Sequence, residues 1–249
     1  MSYLQHRSIR RYKDTPVPET LLERIIEAGV RASNTGNMQT YCVVSTTAPA
    51  RKQAMAPLHF NQPLVSQAPL LLTVCIDFNR FEAWCHARQA KPGYCNLLGF
   101  TTALVDASLF AQNMCIAAED NGLGICYLGT TMYNLAGFIE LLELPRGVIP
   151  IVTIAVGYPD ESPALTPRLP LEAVWHRETY HAATPADIDR MYSDFERIPQ
   201  HQQFVADNQL ETLAQVFTNV RYKPDVYASI SKAMADALRA QGFTLGSEC

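Results

Sequence analysis

Several features are missing from this sequence, and each absence narrows what the chain can be. No stretch offers the roughly 18 uncharged apolar residues of a membrane-spanning helix, so no membrane association is expected. Basic charge is not in excess: 20 Lys and Arg stand against 24 Asp and Glu, a net charge of -4, which argues against nucleic acid or an anionic lipid surface as partner. The opening MSYLQHRSIRRY has no apolar signal core. Seven cysteines, an odd number, without such a core read as reduced thiols, so a cytoplasmic location is expected. Cys85, His86 and Cys95 match no common zinc spacing, and no metal is expected. No GxGxxG follows an early strand, which disfavours a Rossmann dehydrogenase. Internal repeats and low-complexity tracts are absent as well.

What is present is ordinary globular composition, 48% hydrophobic and 18% charged over 249 residues. The most informative stretch runs from Thr102 to Thr131, TALVDASLFAQNMCIAAEDNGLGICYLGTT. Its first part reads as a helix that is apolar nearly all round, and such a helix is expected to be buried nearly all round. Ala103, Ala107, Ala111 and Cys115 recur at four-residue spacing, a small face that another backbone can approach closely, including that of a symmetry mate. Asn121-Gly122 stops the helix, ICYL follows as a short buried strand, and Gly129-Thr130-Thr131 forms a turn.

The rest alternates. HRSIRRY packs three arginines, a histidine and a hydroxyl into residues 6–12, donors suited to an anion, with Ile9 turned inward. Leu21, Leu22, Ile25 and Ile26 share one helical face. The loop Ser33–Gln39 has Gly at its centre and free side-chain amides. YCVVST (41–46) reads as a strand, residues 49–58 as a short helix, and PLLLTVCIDF (69–78) as a central strand buried on both faces. Residues 79–100 spread Trp84, His86, Tyr94 and Phe100 among polar residues and fit either a mobile cover or an ordered excursion. LAGFIELLEL gives a further helix and VIPIVTIAVGYP (148–159) a further buried strand. A proline-rich extended segment follows, and residues 185–242 are all helical in pattern. Helices and strands layered around one sheet define an α/β or α+β fold.

Taken together, HRSIRRY, ASNTGNMQ (32–39), CIDFNRFEAWC (75–85), ALVDASLFAQNMCIAAEDNGLGICYLG (103–129), LELPRGVIPIVTIAVGYP (142–159), SPALTPRLP (162–170) and the closing ALRAQGF occur in the order of one family. The sequence resembles the flavin-dependent nitroreductases, and most closely their NADPH-preferring nitroreductase and flavin-reductase branch. The resemblance implies an α+β sandwich with a central, mostly antiparallel sheet flanked by helices. It also implies an intertwined homodimer, with the small face of the central helix as a dimer contact and two clefts lined by both subunits. Residues 1–249 are then a single domain, with 177–249 a helical extension that packs on the core or the dimer partner.

The resemblance further implies a tightly bound, non-covalent FMN reduced by NADPH or NADH. His6, Arg7 and Ser8 match positions that hold its phosphate and ribityl chain, and Arg168 matches a second phosphate cation. Each charge-assisted bond contributes roughly 1.5–3 kcal/mol. Arg10 matches a cation at the flavin pyrimidine edge, where it favours the negative charge gained on reduction. Asn37, Gln39 and Gln62 match amides around the ring. Leu128, Gly129 and Thr130 match the turn whose backbone N–H faces flavin N5. Relatives often carry Gly at the position of Thr130, and often Lys where this chain has Thr166. Arg221 falls near the region where relatives contact the NADPH 2′-phosphate, but reads here as a surface arginine. The activity implied is two-electron, ping-pong reduction of flat, electron-poor acceptors such as nitroaromatics, quinones or free flavins. The alternatives are a reductive dehalogenase or ene reductase on the same fold, the poorly matched 84–100 segment shaping the acceptor pocket, or a non-catalytic flavin-binding protein.

Overall fold

In the computed structural model the described residues are 4–246; Cys249, one of the odd count of cysteines, lies outside them. Four strands form one sheet: β1 (Tyr41–Thr46), β2 (Leu70–Asp77), β3 (Gly124–Leu128) and β4 (Val148–Gly157), in the order β1-β2-β4-β3 with every neighbouring pair antiparallel. The two central strands, β2 and β4, are buried along their whole length, as their unbroken apolar runs require. Their register slips between Val74 and Cys75, so that Val74 faces Val152 while Cys75 faces Pro150. Ile151 is the extra residue of a bulge beside a proline that has no N–H to give the ladder. The slip changes the parity of β4, and Ile149 and Ile151 thereby reach the same core as Val152, Ile154 and Val156.

The helices of the first half are α1 (Glu19–Val30), α2 (Pro49–Met55), α3 (Pro63–Gln67), α4 (Phe78–Ala87), α5 (Leu97–Asp120) and α6 (Leu135–Leu141). One face of the sheet packs on α5, which contacts all four strands and lies against α1. Phe110, Met114, Leu70, Leu72, Val74, Ile76 and Ile154 fill the space between. Gly29 makes the α1–α5 approach possible, since a Cβ there would lie 2.6 Å from Met114 Cγ. The opposite face is covered by α2, α3 and α6 over Met55, Val65, Leu71, Phe138 and Ala155. A helical layer on each side of an antiparallel sheet is the expected α+β sandwich.

Two expectations about α5 need correction. It is not buried all round: Leu98, Val105 and Leu109 are 76%, 54% and 43% exposed. The small face is also not the outward one. Ala103, Ala107, Ala111 and Cys115 are all buried in this chain's own core, because small side chains are what allow a helix to lie close under a sheet. The helix begins earlier than the charge pattern suggests, at Leu97, where the Asn96 side chain accepts from Gly99 N–H. Residues 79–100 pack against the rest of the first unit. Most of α4 lies within them, Tyr94 stacks parallel to Phe78 and edge-on to Phe81, and Thr244 N–H donates to Cys95 O.

Leu165–Ile230 forms a compact unit of its own, and the remainder of the chain forms the other. This second unit begins before residue 177. It contains α7 (Pro185–Glu196), α8 (Pro199–Asp207) and α9 (Leu213–Val216), while α10 (Pro224–Ala240) starts in it and continues into the first unit from Ser231. Thr184 with Asp187 and Thr212 with Gln215 form capping boxes at the starts of α7 and α9. Among the described residues no helix is long and apolar enough to cross a membrane.

Candidate active site

The turn after β3 is held from three directions. Thr131 Oγ1, fully buried, donates to Leu128 O at 2.9 Å and lies 3.0 Å from Thr153 Oγ1, which in turn lies 3.0 Å from Thr73 Oγ1. This chain of hydroxyls ties the turn to both central strands. The Asn134 amide donates to Leu58 O at 2.6 Å. Thr130 Oγ1 lies 2.6 Å from His59 Nδ1 and 3.5 Å from Gln62 Nε2. The turn Gly129–Asn134 is thus docked onto the turn Ala56–His59 by side chains that are neutral, with no ion pair. His59 is fully buried with its ring against Phe138, 4.9 Å between centroids. Burial takes its pKa down to about 4, because a charged imidazole would lose its hydration there. A Cβ on Gly129 would meet nothing within 4 Å, so the outer side of the turn is open. The backbone N–H groups of Gly129 and Thr130 head this turn, where first-turn donors have no intrahelical acceptor.

The N-terminal segment is built on the opposite principle. Ile9 N–H donates to Ile125 O, Lys13 N–H to Tyr158 O, and Asp160 N–H to Arg11 O, so HRSIRRY runs past the exposed edge of β3. Gly124 is the crossing point: a Cβ there would lie 2.5 Å from Ile9 Cγ1. Tyr12, mostly buried, donates to Ile9 O at 2.6 Å and lies 3.2 Å from Ala155 O. Two carboxylates then fix the segment. Glu119, near the end of α5, pairs with His6 Nδ1 at 2.6 Å. Glu161 Oε1 accepts from Arg10 N–H at 2.5 Å and Arg11 N–H at 3.0 Å, and its Oε2 lies 3.2 Å from Arg11 Nε. The Arg10 backbone N–H is foremost in holding the Glu161 carboxyl below the usual carboxylate range. The backbone donors of Ile9, Arg10, Arg11 and Lys13 are therefore occupied, and the Arg7 guanidinium also reaches Gln5 O and Oε1 at 3.4 and 3.5 Å. Arg7 Nη1 donates to Pro163 O at 3.2 Å. It borders a cavity of about 400 Å³ together with Ile9, Glu119, Gly124 and Glu161.

The Ser33–Gln39 loop is organised by a buried charge. Asp106 of α5 accepts from Thr35 N–H at 2.9 Å and Thr35 Oγ1 at 3.1 Å. Asn37 and Gln39 both take positive φ, and the Gln39 amide turns back to Asn37 O and Oδ1 at 3.3 Å each. Arg80 spans Asp77, Gln39 O and Tyr41 O. Asn37, Met38, Arg80, Phe81 and Trp84 surround a cavity of about 370 Å³.

Gln62, Leu128, Gly129 and Thr130 are thus brought together, as are His6, Arg7, Ser8 and Arg10, and separately Asn37 and Gln39. The last two groups attach to α5 at Asp106 and Glu119. Thirteen residues of helix separate those anchors, roughly 20 Å at 1.5 Å per residue. Arg168 belongs to the second unit and is exposed. Arg221 in that unit lies over the Phe204 ring at 4.1 Å, which gives it a packing role. The sequence reading passed over His59, Asp106, Glu119 and Glu161. His59 sits in PLHFNQP, three residues before Gln62, and a histidine beside a Gly-Thr turn carries no local signal. The carboxylates are separated in sequence by 71 to 151 residues from what they bind.

The Nitroreductase family profile matches residues 3–158, and the chain belongs to this family. It is 34% identical over 183 residues to "FMN reductase (NADPH)" of Bacillus subtilis, covering 73% of this chain and 74% of the relative. It is 37% identical over 175 residues to "Oxygen-insensitive NADPH nitroreductase" of Salmonella typhimurium, covering 70% and 71%. A solved chain from Bacteroides fragilis superposes with a TM-score of 0.96 at 46% identity, covering 98% of this chain and all of that one.

Proposed function

We propose that this chain is an FMN-dependent NAD(P)H oxidoreductase acting on nitroaromatics, quinones or free flavins, and that it works as a homodimer in the cytoplasm. The observation that carries this reading is the open turn at Gly129-Thr130, pinned to the central strands and to His59 and Gln62 in a chain of the nitroreductase family. The donor set fits FMN. Cations and a hydroxyl (Arg7, Ser8, Arg10) suit a phosphate and ribityl chain, the amides of Asn37, Gln39 and Gln62 suit the edge of a flavin ring, and an open backbone turn suits its centre. Bound there, FMN would take hydride from NAD(P)H and pass the electron pair to an acceptor.

The protein's part is placement and charge. Arg7 and Ser8 would anchor the phosphate; Arg168 is proposed as a phosphate cation on its sequence match alone. Arg10 has a guanidinium that makes no hydrogen bond or ion pair among the described residues, and would offset negative charge gained at the flavin pyrimidine edge. The pinned turn would keep the flavin face fixed while reductant and acceptor alternate in one place. The dimer reading has its own support. The outward face of α5 carries Leu98, Val105 and Leu109, and the two site segments attach to α5 far apart, at Asp106 near its middle and at Glu119 by its C-terminal end, so one subunit's Asn37 loop can serve its partner's N-terminal segment. The whole chain is then one nitroreductase domain with a helical extension.

The test is an absorption spectrum of the purified protein followed by anaerobic NADPH addition. A flavin spectrum bleached by NADPH and restored by a quinone is expected. A protein that neither carries nor takes up FMN overturns the proposal, and a monomer by light scattering overturns its dimer part.

A further inference from the structure

His59 and Thr130 together present a hydrogen-bond count that does not close within the protein. His59 Nε2 is buried and has no partner, and His59 Nδ1 lies 2.6 Å from Thr130 Oγ1. The neutral ring carries one proton. If it sat on Nε2, a buried N–H would be left without an acceptor; if it sits on Nδ1, only a lone pair is left bare. Orphaned buried donors are the rarer and costlier case, so Nδ1–H donates to Thr130 Oγ1. The Gln62 amide donates to the same oxygen at 3.5 Å. A hydroxyl has two lone pairs and one hydrogen. Both lone pairs are then occupied from the protein side, and the hydrogen has no acceptor among the described residues.

Thr130 is half-buried and stands beside Gly129, whose outer side is open. We propose that the Thr130 hydroxyl is a fixed, one-way hydrogen-bond donor to N5 of bound FMN, with His59 as the positioning residue that prevents it from reversing. The proposal rests on the FMN reading above. Its consequence is asymmetric. N5 of oxidised FMN is an acceptor, which this hydroxyl matches. N5 of reduced FMN bears a hydrogen, which a hydroxyl with both lone pairs occupied cannot accept. The pair therefore favours oxidised FMN and makes the reduced form a stronger reductant. The burial that keeps His59 neutral also keeps it from donating at both nitrogens.

The test uses the FMN-loaded protein, with the midpoint potential read against a reference dye and the affinity for oxidised FMN read by fluorescence. Thr130→Val keeps the shape and removes the hydroxyl. The expected result is a rise in midpoint potential corresponding to about three- to tenfold in the oxidised–reduced equilibrium, the scale of one net hydrogen bond, or about 15–30 mV for two electrons. Oxidised FMN should bind weaker by the same factor, and Thr130→Ser should keep the wild-type potential. His59→Phe should raise the potential as well, since the freed hydroxyl can turn and accept. An unchanged potential in Thr130→Val overturns the proposal, and a lowered one assigns Thr130 the opposite role, as an acceptor. In both of those cases a wild-type protein that holds FMN and is reduced by NADPH leaves the functional reading standing. A wild type without FMN overturns both.

Discussion

Two histidines mark two ways of building a site. His6 lies on the N-terminal segment, one-third exposed, and faces the carboxylate of Glu119 at 2.6 Å. His59 lies under the Gly129–Asn134 turn, fully buried, and faces a hydroxyl at the same distance. Around His6 the carboxylates of Glu119 and Glu161 add to the backbone bonds of the segment. Around His59 everything is held by neutral groups, with Thr73, Thr131, Thr153, Gln62 and Asn134 all bonding within the protein. Charge at an exposed edge is cheap to hydrate and can be handed over to an anionic ligand. Neutral bonds in a dry interior are insensitive to salt and costly to leave unmade. One region carries exposed charge, the other buried neutral groups.

The largest break in this comparison should come from acid. An unfolded histidine takes up a proton below its ordinary value of 6.5, whereas folded His59 does so only near 4. Between those values the unfolded chain binds more protons, so stability falls as pH falls. At about 1.4 kcal/mol per unit the loss approaches about 3 kcal/mol. Urea unfolding at pH 7 and pH 4.5 measures most of it, and His59→Phe should flatten that limb. Glu161 contributes in a different window. Its folded carboxyl is lowered from 4.5, so its stabilisation is full above that value and is lost only as pH drops through the lowered one. The two regions therefore separate on the pH axis.

On the charged side, Arg7→Ala should weaken FMN binding about ten- to a hundredfold, as loss of one charge-assisted bond implies. Fluorescence titration checks this at two salt concentrations, the deficit shrinking at high salt. Arg168→Ala should release FMN more readily than Arg221→Ala, since Arg221 is engaged with the Phe204 ring; the reverse order would remove Arg168 from the site. Gly124→Val tests how the segment is seated. A Cβ 2.5 Å from Ile9 Cγ1 forces Ile9 off the β3 edge at a cost of roughly 1–3 kcal/mol, and should loosen FMN without disturbing the turn.

Thr153→Val attacks the neutral side. It removes the middle of the hydroxyl chain and leaves Thr73 Oγ1 without a hydroxyl partner, at about 1–2 kcal/mol by urea unfolding, independent of salt. The smallest effect is expected for Glu119→Gln. His6 is partly solvated, and pairs of this kind contribute about 0.2–1 kcal/mol. That loss should vanish at high salt, where the Thr153→Val loss persists.

Much of the fold was legible in the chain. The apolar run 69–78 became β2 at Leu70–Asp77 and VIPIVTIAVGYP contains β4, because strands buried on both faces leave a continuous apolar record; YCVVST became the edge strand β1 unchanged, marked by its β-branched content. α4 and α8 were less legible. α4 buries Phe78, Phe81 and Cys85 on one side but exposes the large apolar Trp84 on another, and no residue of α8 is fully buried. The packing of 79–100 also had no local sign, since Tyr94 lies against Phe78 and Phe81, 13 or more residues away.

By itself the sequence determined the strands, the central helix and the family, since periodicity and short motifs are properties of neighbours along the chain. Only the tertiary structure decided which face of α5 turns outward. It also decided that Glu119 pairs with His6 and Glu161 takes the N–H donors of Arg10 and Arg11, and that a buried histidine 71 residues away lies against the Thr130 hydroxyl. Each of those outcomes depends on a pairing between distant residues, and the strength of such a pairing is set by how much water the fold removes around it.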